Sequence, residues 1–209
     1  MHLAIDTFPK ERFGLITGSN CSVLFPDKGD GKVGKRTYAK ELANEKYFQH
    51  YDEVSTWQMQ HGSMGEHFAA IHFQEYIDDS LKKGEFIMNG NYGGSPDYEI
   101  EEYGIDFKCP TSLGKWLDYF HEPISKQQIN QCQMYMFLRK KKCWKIGAYL
   151  TETQFMNDNG LTYPVDETRR LILIDVPFDM GWEAKLIEEG EKVIEMRDEF
   201  FNKLKAKFG

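Results

Sequence analysis

Two aspartates and a lysine in one short window have the residue types and spacing of a metal-dependent hydrolytic site. The window GGSPDYEIEEYGIDFKCP contains Asp97, Asp106 and Lys108. Asp106 and Lys108 are two residues apart, so on a strand both side chains lie on the same face, while Ile105 and Phe107 face the opposite way. A carboxylate and an ammonium group on an otherwise apolar strand are costly without partners. Taken alone this spacing is a weak motif that favours a surface ion pair on a hairpin, and a functional site is favoured only where other segments agree.

Asp97 is predicted to lie on the neighbouring strand, close to Asp106. It precedes Asp106 by nine residues, across a turn predicted at Tyr103 and Gly104. Two carboxylates brought together repel each other, and a divalent cation relieves that repulsion. Mg²⁺ takes hard oxygen ligands and keeps several of its waters, one of which can attack a phosphodiester. A lysine beside the ion would orient that water or stabilise the charge of the transition state.

A predicted long helix adds a third acid to this set. Glu66 lies in the segment HGSMGEHFAA and follows Gly62 and Gly65, whose small size would permit close approach to a sheet or a ligand. An isolated helix glutamate is more often a solvated surface residue. A role for Glu66 therefore depends on its agreement with the two aspartates.

Two further segments carry polar residues that suit water or phosphate binding. In QQINQCQMYMFL, Gln128 and Gln131 are three residues apart and share one face of a predicted helix. An amide there can hold a water molecule or a phosphate oxygen. In ERFGLITGSN, Arg12 and Ser19 flank a predicted helix start, which is a position suited to an anion.

The elements that must position these residues follow from hydrophobic periodicity. Helices are predicted at residues 35–50, 56–77, 112–119, 125–138 and 182–207, with a short helix between residues 14 and 26. Short apolar runs broken by Gly, Asn and Pro predict a meander of antiparallel strands over residues 84–108, and further strands at 143–150 and 169–176. This order predicts an α/β (α+β) fold with a mixed sheet and helices on its faces. The length of 209 residues suits a single domain over residues 1–209.

Composition limits the possible function classes. The chain has 33 Asp and Glu against 26 Lys and Arg, a net charge of −7, which excludes a protein that binds DNA through a general coat of positive charge. The surplus acid predicts a polarised surface, with the segment from Glu183 to Glu199 facing solvent. The four cysteines form no CxxC pair, which disfavours a zinc ribbon or an iron–sulfur cluster. No apolar run approaches the length of a membrane helix, and we expect a cytoplasmic protein.

Five ordered segments together resemble one nuclease family. The segments RFGLITGS, GSMGEHFA, GSPDYEI, GIDFKCP and QCQMYMFL resemble the lambda exonuclease family, the YqaJ-type viral recombinase nucleases of the PD-(D/E)xK superfamily. The resemblance covers about residues 11–150. It implies a restriction-endonuclease-like core, in which a central mixed sheet is flanked by helices.

The same resemblance implies a metal site. Asp97 and Asp106 would be the metal ligands, together with the backbone carbonyl of Phe107, and Lys108 would assist the nucleophilic water. The family often has Glu where this chain has Asp106, and the shorter side chain must lie closer to the ion. The implied cofactor is Mg²⁺, with Mn²⁺ as a substitute because both ions accept the same oxygen ligands.

The remaining polar residues receive supporting roles from the resemblance. Glu66 and Gln131 would complete the catalytic site through water molecules on the metal. Arg12 and Ser19 match positions that hold the 5′-terminal phosphate of DNA. Gln128 stands where a relative has an aromatic residue, so it is assigned at most a supporting role.

The implied activity is a Mg²⁺-dependent 5′→3′ exonuclease on double-stranded DNA ends. It would leave 3′ single-stranded tails for a single-strand annealing protein encoded by the same phage or prophage, and it would form a homotrimeric ring through which DNA passes. Two alternatives stay open. One is a PD-(D/E)xK endonuclease of restriction or repair type, and the other is a nucleic-acid-binding or assembly protein whose site is defunct.

Overall fold

The computed structural model describes residues 10–26, 31–50, 56–151 and 165–209. Within these ranges the α-helices are α1 (Lys32–Phe48), α2 (Trp57–Tyr76), α3 (Leu113–His121), α4 (Lys126–Arg139) and α5 (Trp182–Phe208). The strands are β1 (Ile16–Thr17), β2 (Lys82–Lys83), β3 (Ile87–Asn89), β4 (Tyr92–Gly94), β5 (Tyr98–Glu99), β6 (Gly104–Lys108), β7 (Cys143–Tyr149) and β8 (Leu171–Pro177). Single turns of 3₁₀ helix occupy Lys10–Arg12, Cys21–Leu24 and Glu167–Arg169.

The strands form two sheets, and the larger one carries the predicted site. Its strand order is β2-β5-β6-β7-β8, with β6 and β7 parallel and the other neighbours antiparallel. The smaller sheet has the order β1-β4-β3, with β1 parallel to β4. The predicted mixed sheet with flanking helices is therefore confirmed.

Strand β6 separates two apolar clusters because its side chains alternate between the faces of the sheet. Ile105 and Phe107 are buried on one face against Phe73 of α2. On the other face, Trp144 and Ile146 of β7 are buried against α4. This alternation places Asp106 and Lys108 together on the α4 side, as their spacing predicted.

Local signals account for the helices. The predicted helices at 35–50, 56–77, 112–119, 125–138 and 182–207 are confirmed with shifts of a few residues at their ends. The hydroxyls of Thr56, Ser112 and Ser125 accept hydrogen bonds from the first turns of α2, α3 and α4, respectively. Helix α1 begins at Lys32, three residues before its predicted start, and residues 27–30 lie outside the described ranges. No helix in the described ranges is long and apolar enough to cross a membrane.

The short helix predicted between residues 14 and 26 is reduced to one 3₁₀ turn at Cys21–Leu24. Residues 16 and 17 instead form β1, which pairs with β4 and continues into one 3₁₀ turn. The backbone N–H of Ile16 donates to the carbonyl of Asn91, and that of Thr17 donates to the hydroxyl of Tyr38. Gly14 has a φ of +77°, which interrupts a helix from the N-terminal side. Hydrogen-bond partners far away in sequence thus determine the conformation of residues 16 and 17.

The predicted meander over residues 84–108 is divided between the two sheets. Strands β3 and β4 belong to the smaller sheet, and β5 and β6 to the larger one. The chain passes from one sheet to the other between β4 and β5, where Pro96 has no N–H to donate to a ladder. The passage brings Asp97 to the beginning of β5.

Gly104 allows Trp144 to pack on β6, and its replacement tests this arrangement. An added Cβ would lie 2.2 Å from Cη2 of the buried Trp144, so we expect Gly104→Ala to lower the free energy of unfolding by about 1–3 kcal/mol. Gly114 in α3 has nothing within 4 Å of an added Cβ, so Gly114→Ala should raise the free energy of unfolding by roughly 0.5–1 kcal/mol. Denaturant unfolding measures both variants. A neutral Gly104→Ala variant would contradict the packing described here.

Candidate active site

Asp106 is a carboxylate buried in the centre of the larger sheet. Its exposed fraction is 0%, and it pairs in register with Ile146 of β7. Nζ of Lys108 lies 2.5 Å from Oδ2 of Asp106. Neither carboxylate oxygen accepts a hydrogen bond of normal geometry from the described residues. A buried acceptor with so few partners is costly, and a further cation or donor would reduce that cost.

Asp97 is attached to the same strand through the backbone. Its Oδ2 accepts a hydrogen bond of 2.9 Å from the N–H of Phe107, the residue between Asp106 and Lys108. Burial raises the pKa of Asp97 well above its ordinary value, and the negative charges of Asp106 and Glu66 raise it further, while Lys108 opposes them. The structure therefore brings Asp97 and Asp106 together, as the sequence predicted.

Glu66 joins these carboxylates from α2. Burial raises the pKa of Glu66 to about 7; Asp106 adds to the shift, and the positive charge of Lys108 opposes it. The helix can approach because an added Cβ on Gly65 would lie 2.5 Å from Cβ of Cys109. Gly62 has nothing within 4 Å of an added Cβ, so the close approach predicted for both glycines holds only for Gly65.

Lys108 is the cation among these acids. Burial alone lowers its pKa, but the charges of Asp106 and Asp97 outweigh burial and raise it, so Lys108 stays protonated. Its Nζ donates to Oε1 of Gln131 at 3.4 Å, and Nε2 of Gln131 donates to the hydroxyl of Tyr135 at 3.2 Å. A chain of contacts thus runs from Asp106 through Lys108 into α4.

The two glutamines predicted to share a helix face have different partners. Gln131 contacts Lys108, whereas Nε2 of Gln128 donates to the hydroxyl of Tyr119 at 2.6 Å. Tyr119 lines the same cleft as Lys108. Gln128 therefore packs at the wall of the cleft through Tyr119, and Gln131 belongs to the charged centre formed with Lys108 and Asp106.

Arg12 and Ser19 lie on the side of the site where Tyr135 is buried. Arg12 ends a single 3₁₀ turn and is half-buried. Burial and the negative charges of Asp106 and Asp97 raise the pKa of Tyr135, and the positive charge of Arg12 opposes them. Ser19 is exposed in the turn after β1, and its Oγ lies 3.3 Å from Oγ1 of Thr17. No α-helix starts here, so the predicted helix-terminus site for an anion is wrong, and any anion would be held by the side chains and the turn.

A cleft of ≈ 380 Å³ opens beside Lys108. Its lining residues are Gln58, Gly62, Glu66, Phe107, Lys108, Cys109, Pro110, Thr111, Lys115 and Tyr119. A larger cavity of ≈ 840 Å³ lies between α1, α5 and residues 24–26, but none of the carboxylates of the candidate site lines it. The concentration of charged and polar groups favours the cleft as the place where chemistry occurs.

The donor set suits a hard divalent cation. Asp97 and Asp106 offer carboxylate oxygens, and Phe107, whose carbonyl would be the third ligand, directly follows Asp106 in sequence. Among the described residues, no three side chains of His, Cys, Asp or Glu are arranged as a complete metal cage. An ion here would take two carboxylates and complete its shell with a carbonyl and solvent, which suits Mg²⁺ and does not suit a structural zinc site. The under-bonded oxygens of Asp106 agree with this assignment.

Sequence reasoning missed Tyr135. It follows Gln131 by four residues on α4, so the two side chains are neighbours on the helix surface. That spacing was the available signal, but an aromatic residue in QCQMYMFL also suits an ordinary apolar core.

The ion pair between Lys108 and Asp106 can be tested through stability in a chelator. We expect Lys108→Met to lower the free energy of unfolding by about 3–5 kcal/mol, because it leaves a buried carboxylate without its cation. Lys145→Met is the matched control, since Asp175 of the Lys145–Asp175 pair on β7 and β8 is 75% exposed, and its loss should cost about 1 kcal/mol or less. Equal losses in denaturant unfolding would contradict the buried pair.

The chain matches solved structures, while sequence comparisons find nothing. No family model matches it, and no curated protein matches its sequence significantly. An alkaline exonuclease, LHK-Exo, from Laribacter hongkongensis aligns with a TM-score of 0.74 at 16% identity over 94% of each chain. LHK-Exo in complex with dAMP aligns with a TM-score of 0.74 at 17% identity, over 96% of this chain and 97% of that one. A phage-related exonuclease from Haemophilus somnus 129PT aligns with a TM-score of 0.64 at 19% identity, over 90% and 95%.

These matches extend over nearly the whole chain on both sides. They include the mixed sheet that carries Asp106 and the helices on its faces. TM-scores of 0.64 and 0.74 at 16–19% identity establish a shared fold. The chain therefore has the fold of these exonucleases.

Proposed function

We propose that the protein is a Mg²⁺-dependent 5′→3′ exonuclease that acts on the ends of double-stranded DNA. One observation carries the proposal: Asp97 accepts a hydrogen bond from the N–H of Phe107, next to Asp106, and Asp106 contacts the ammonium group of Lys108, on the fold of known exonucleases. Asp97 and Asp106 supply hard oxygen ligands, and Lys108 supplies a fixed positive charge.

The metal would be held by Asp97, Asp106 and the carbonyl of Phe107. When bound, Mg²⁺ supplies Lewis acidity toward the scissile phosphate and neutralises the repulsion between the two carboxylates. Mn²⁺ replaces it because it accepts the same ligands.

The protein's own residues then perform positioning and charge stabilisation. Lys108 is held by Asp106 and Gln131. Its ammonium group would stabilise the negative charge that develops on the phosphate. Glu66 lines the cleft beside Lys108, where its carboxylate orients the attacking water. Because the groups are fixed before the substrate arrives, little reorganisation is needed during the reaction.

Arg12 and Ser19 would receive the 5′-terminal phosphate. Arginine forms strong, directional hydrogen bonds with phosphate, and the serine hydroxyl adds a donor from the turn after β1. The relative LHK-Exo has been solved in complex with dAMP, a mononucleotide. That complex supports the release of single nucleotides as products.

The proposed product determines the proposed partners. Degradation from the 5′ end leaves a 3′ single-stranded tail, which is the substrate of a single-strand annealing protein in phage-type recombination. A homotrimeric ring around the DNA would keep the enzyme on its substrate between cleavages. These assignments, the cytoplasmic location and the phage or prophage origin follow from the family resemblance.

Replacing Asp106 tests both the metal site and the reaction class. We expect Asp106→Asn to lower the cleavage rate in Mg²⁺ by about 10³-fold or more, because the amide cannot serve as a charged ligand. Asp175→Asn, on the exposed end of β8, should cleave like wild type. Wild type should degrade linear duplex and leave covalently closed circular duplex intact. Cleavage of the closed circle would favour the endonuclease, and full activity of Asp106→Asn would contradict the site.

Replacing Arg12 tests recognition of the DNA end. We expect Arg12→Ala to reduce the preference in kcat/KM for 5′-phosphorylated over 5′-hydroxyl ends by about 10-fold, since a charge-assisted phosphate contact is lost. Lys10→Ala is the control, because Lys10 is an exposed cation in the same 3₁₀ turn. An unchanged preference in Arg12→Ala would remove Arg12 from the phosphate site.

A further inference from the structure

Tyr135 fills a slot between the turn after β1 and strand β4. The residue is only 4% exposed. An added Cβ on Gly18 would lie 2.8 Å from Cε1 of Tyr135, and an added Cβ on Gly94 would lie 2.8 Å from the same atom. Both glycines are therefore required for the ring to occupy this position. Gly18 directly precedes Ser19, so the ring packs against the turn proposed to bind the 5′-phosphate.

The hydroxyl of Tyr135 is linked to Lys108 through hydrogen bonds of Gln131. It accepts the hydrogen bond from Nε2 of Gln131, whose Oε1 accepts from Nζ of Lys108. A lysine ammonium has donors only, so Gln131 must present its oxygen to Lys108 and its NH₂ group to Tyr135. Lys108 thereby sets the orientation of the Gln131 amide, and the Tyr135 hydroxyl restrains that amide by accepting from its NH₂ group.

We propose that Tyr135 is a positioning residue that couples occupancy of the 5′-phosphate turn to the placement of Lys108. The inference rests on the proposed exonuclease function. A phosphate held at Ser19 and Arg12 restrains the turn at Gly18, the turn restrains the ring of Tyr135, and the hydroxyl restrains Gln131. A correctly phosphorylated end thus accelerates the chemical step in addition to strengthening binding.

Ring and hydroxyl can be separated experimentally. The ring also packs against Trp144, with centroids 5.4 Å apart, which is an ordinary core contact. Tyr135→Phe keeps the ring between the two glycines and removes only the hydrogen bond to Gln131. A purely structural role would leave the response to the 5′-phosphate unchanged in this variant.

The test compares steady-state kinetics on 5′-phosphorylated and 5′-hydroxyl linear duplex in Mg²⁺. For wild type we expect the 5′-phosphate to raise kcat and to lower KM. For Tyr135→Phe we expect kcat on phosphorylated DNA to fall by about 5- to 10-fold and the kcat advantage of the phosphate to disappear, while its effect on KM remains. Tyr92→Phe is the matched control, because the buried Tyr92 hydroxyl donates to the carbonyl of Leu186 on α5. It should retain the wild-type kcat advantage.

A second variant gives the inference an independent test. Gln131→Met removes the next member of the chain and should abolish the same kcat advantage, and Tyr135→Phe should add no further loss in that background. If wild type and Tyr92→Phe cleave neither substrate, the proposed function fails. If wild type cleaves but shows no kcat advantage for the phosphate, or if Tyr135→Phe keeps that advantage, the coupling is wrong while the nuclease assignment stands.

Discussion

The charge of Asp106 in the middle of the larger sheet is the constraint on which the other features of the site depend. Three carboxylates, those of Asp106, Asp97 and Glu66, interact with the ammonium group of Lys108. Apart from Lys108, the other residues of β6 are apolar and buried, so they offer Asp106 no further compensation. The N–H of Phe107 holds Asp97 in place despite the repulsion. An arrangement with surplus negative charge costs stability without a cation, and it is the arrangement that a divalent ion would stabilise most.

The sequence predicts the parts of this structure that depend on local interactions. The period of two residues places Asp106 and Lys108 on one face, and hydroxyl caps at Ser112 and Ser125 begin α3 and α4. It does not predict the segment at residues 14–26, because the N–H groups there bond to Asn91 and Tyr38 instead of continuing a helix. Backbone donors that find partners far away in sequence leave no periodic signal.

The same distinction applies within the site. Asp97 was predictable because one turn separates it from Asp106. Gln128 and Gln131 have identical chemistry and nearby positions, yet only the packing of α4 determines that Gln131 contacts Lys108 and Gln128 contacts Tyr119. Tyr135 was missed because its position depends on two glycines in other strands and turns. Sequence patterns thus identified the charged groups, and tertiary packing selected the neutral groups that orient them.

The net charge of −7 is compatible with a DNA substrate because of where the charges lie. Along α5, Glu183, Glu188, Glu191, Glu195 and Glu199 are exposed, as the Glu-rich segment predicted. Beyond these glutamates α5 carries positive charge. Lys203 of α5, together with Arg36 and Lys40 of α1, forms a basic cluster around the ring of Phe200. A duplex approaching the acidic part of this helix is repelled, while the basic cluster and the site lysine attract phosphate. Such a surface would disfavour non-specific binding along the side of DNA, so productive contact with the proposed substrate would depend on the cleft instead of on overall charge.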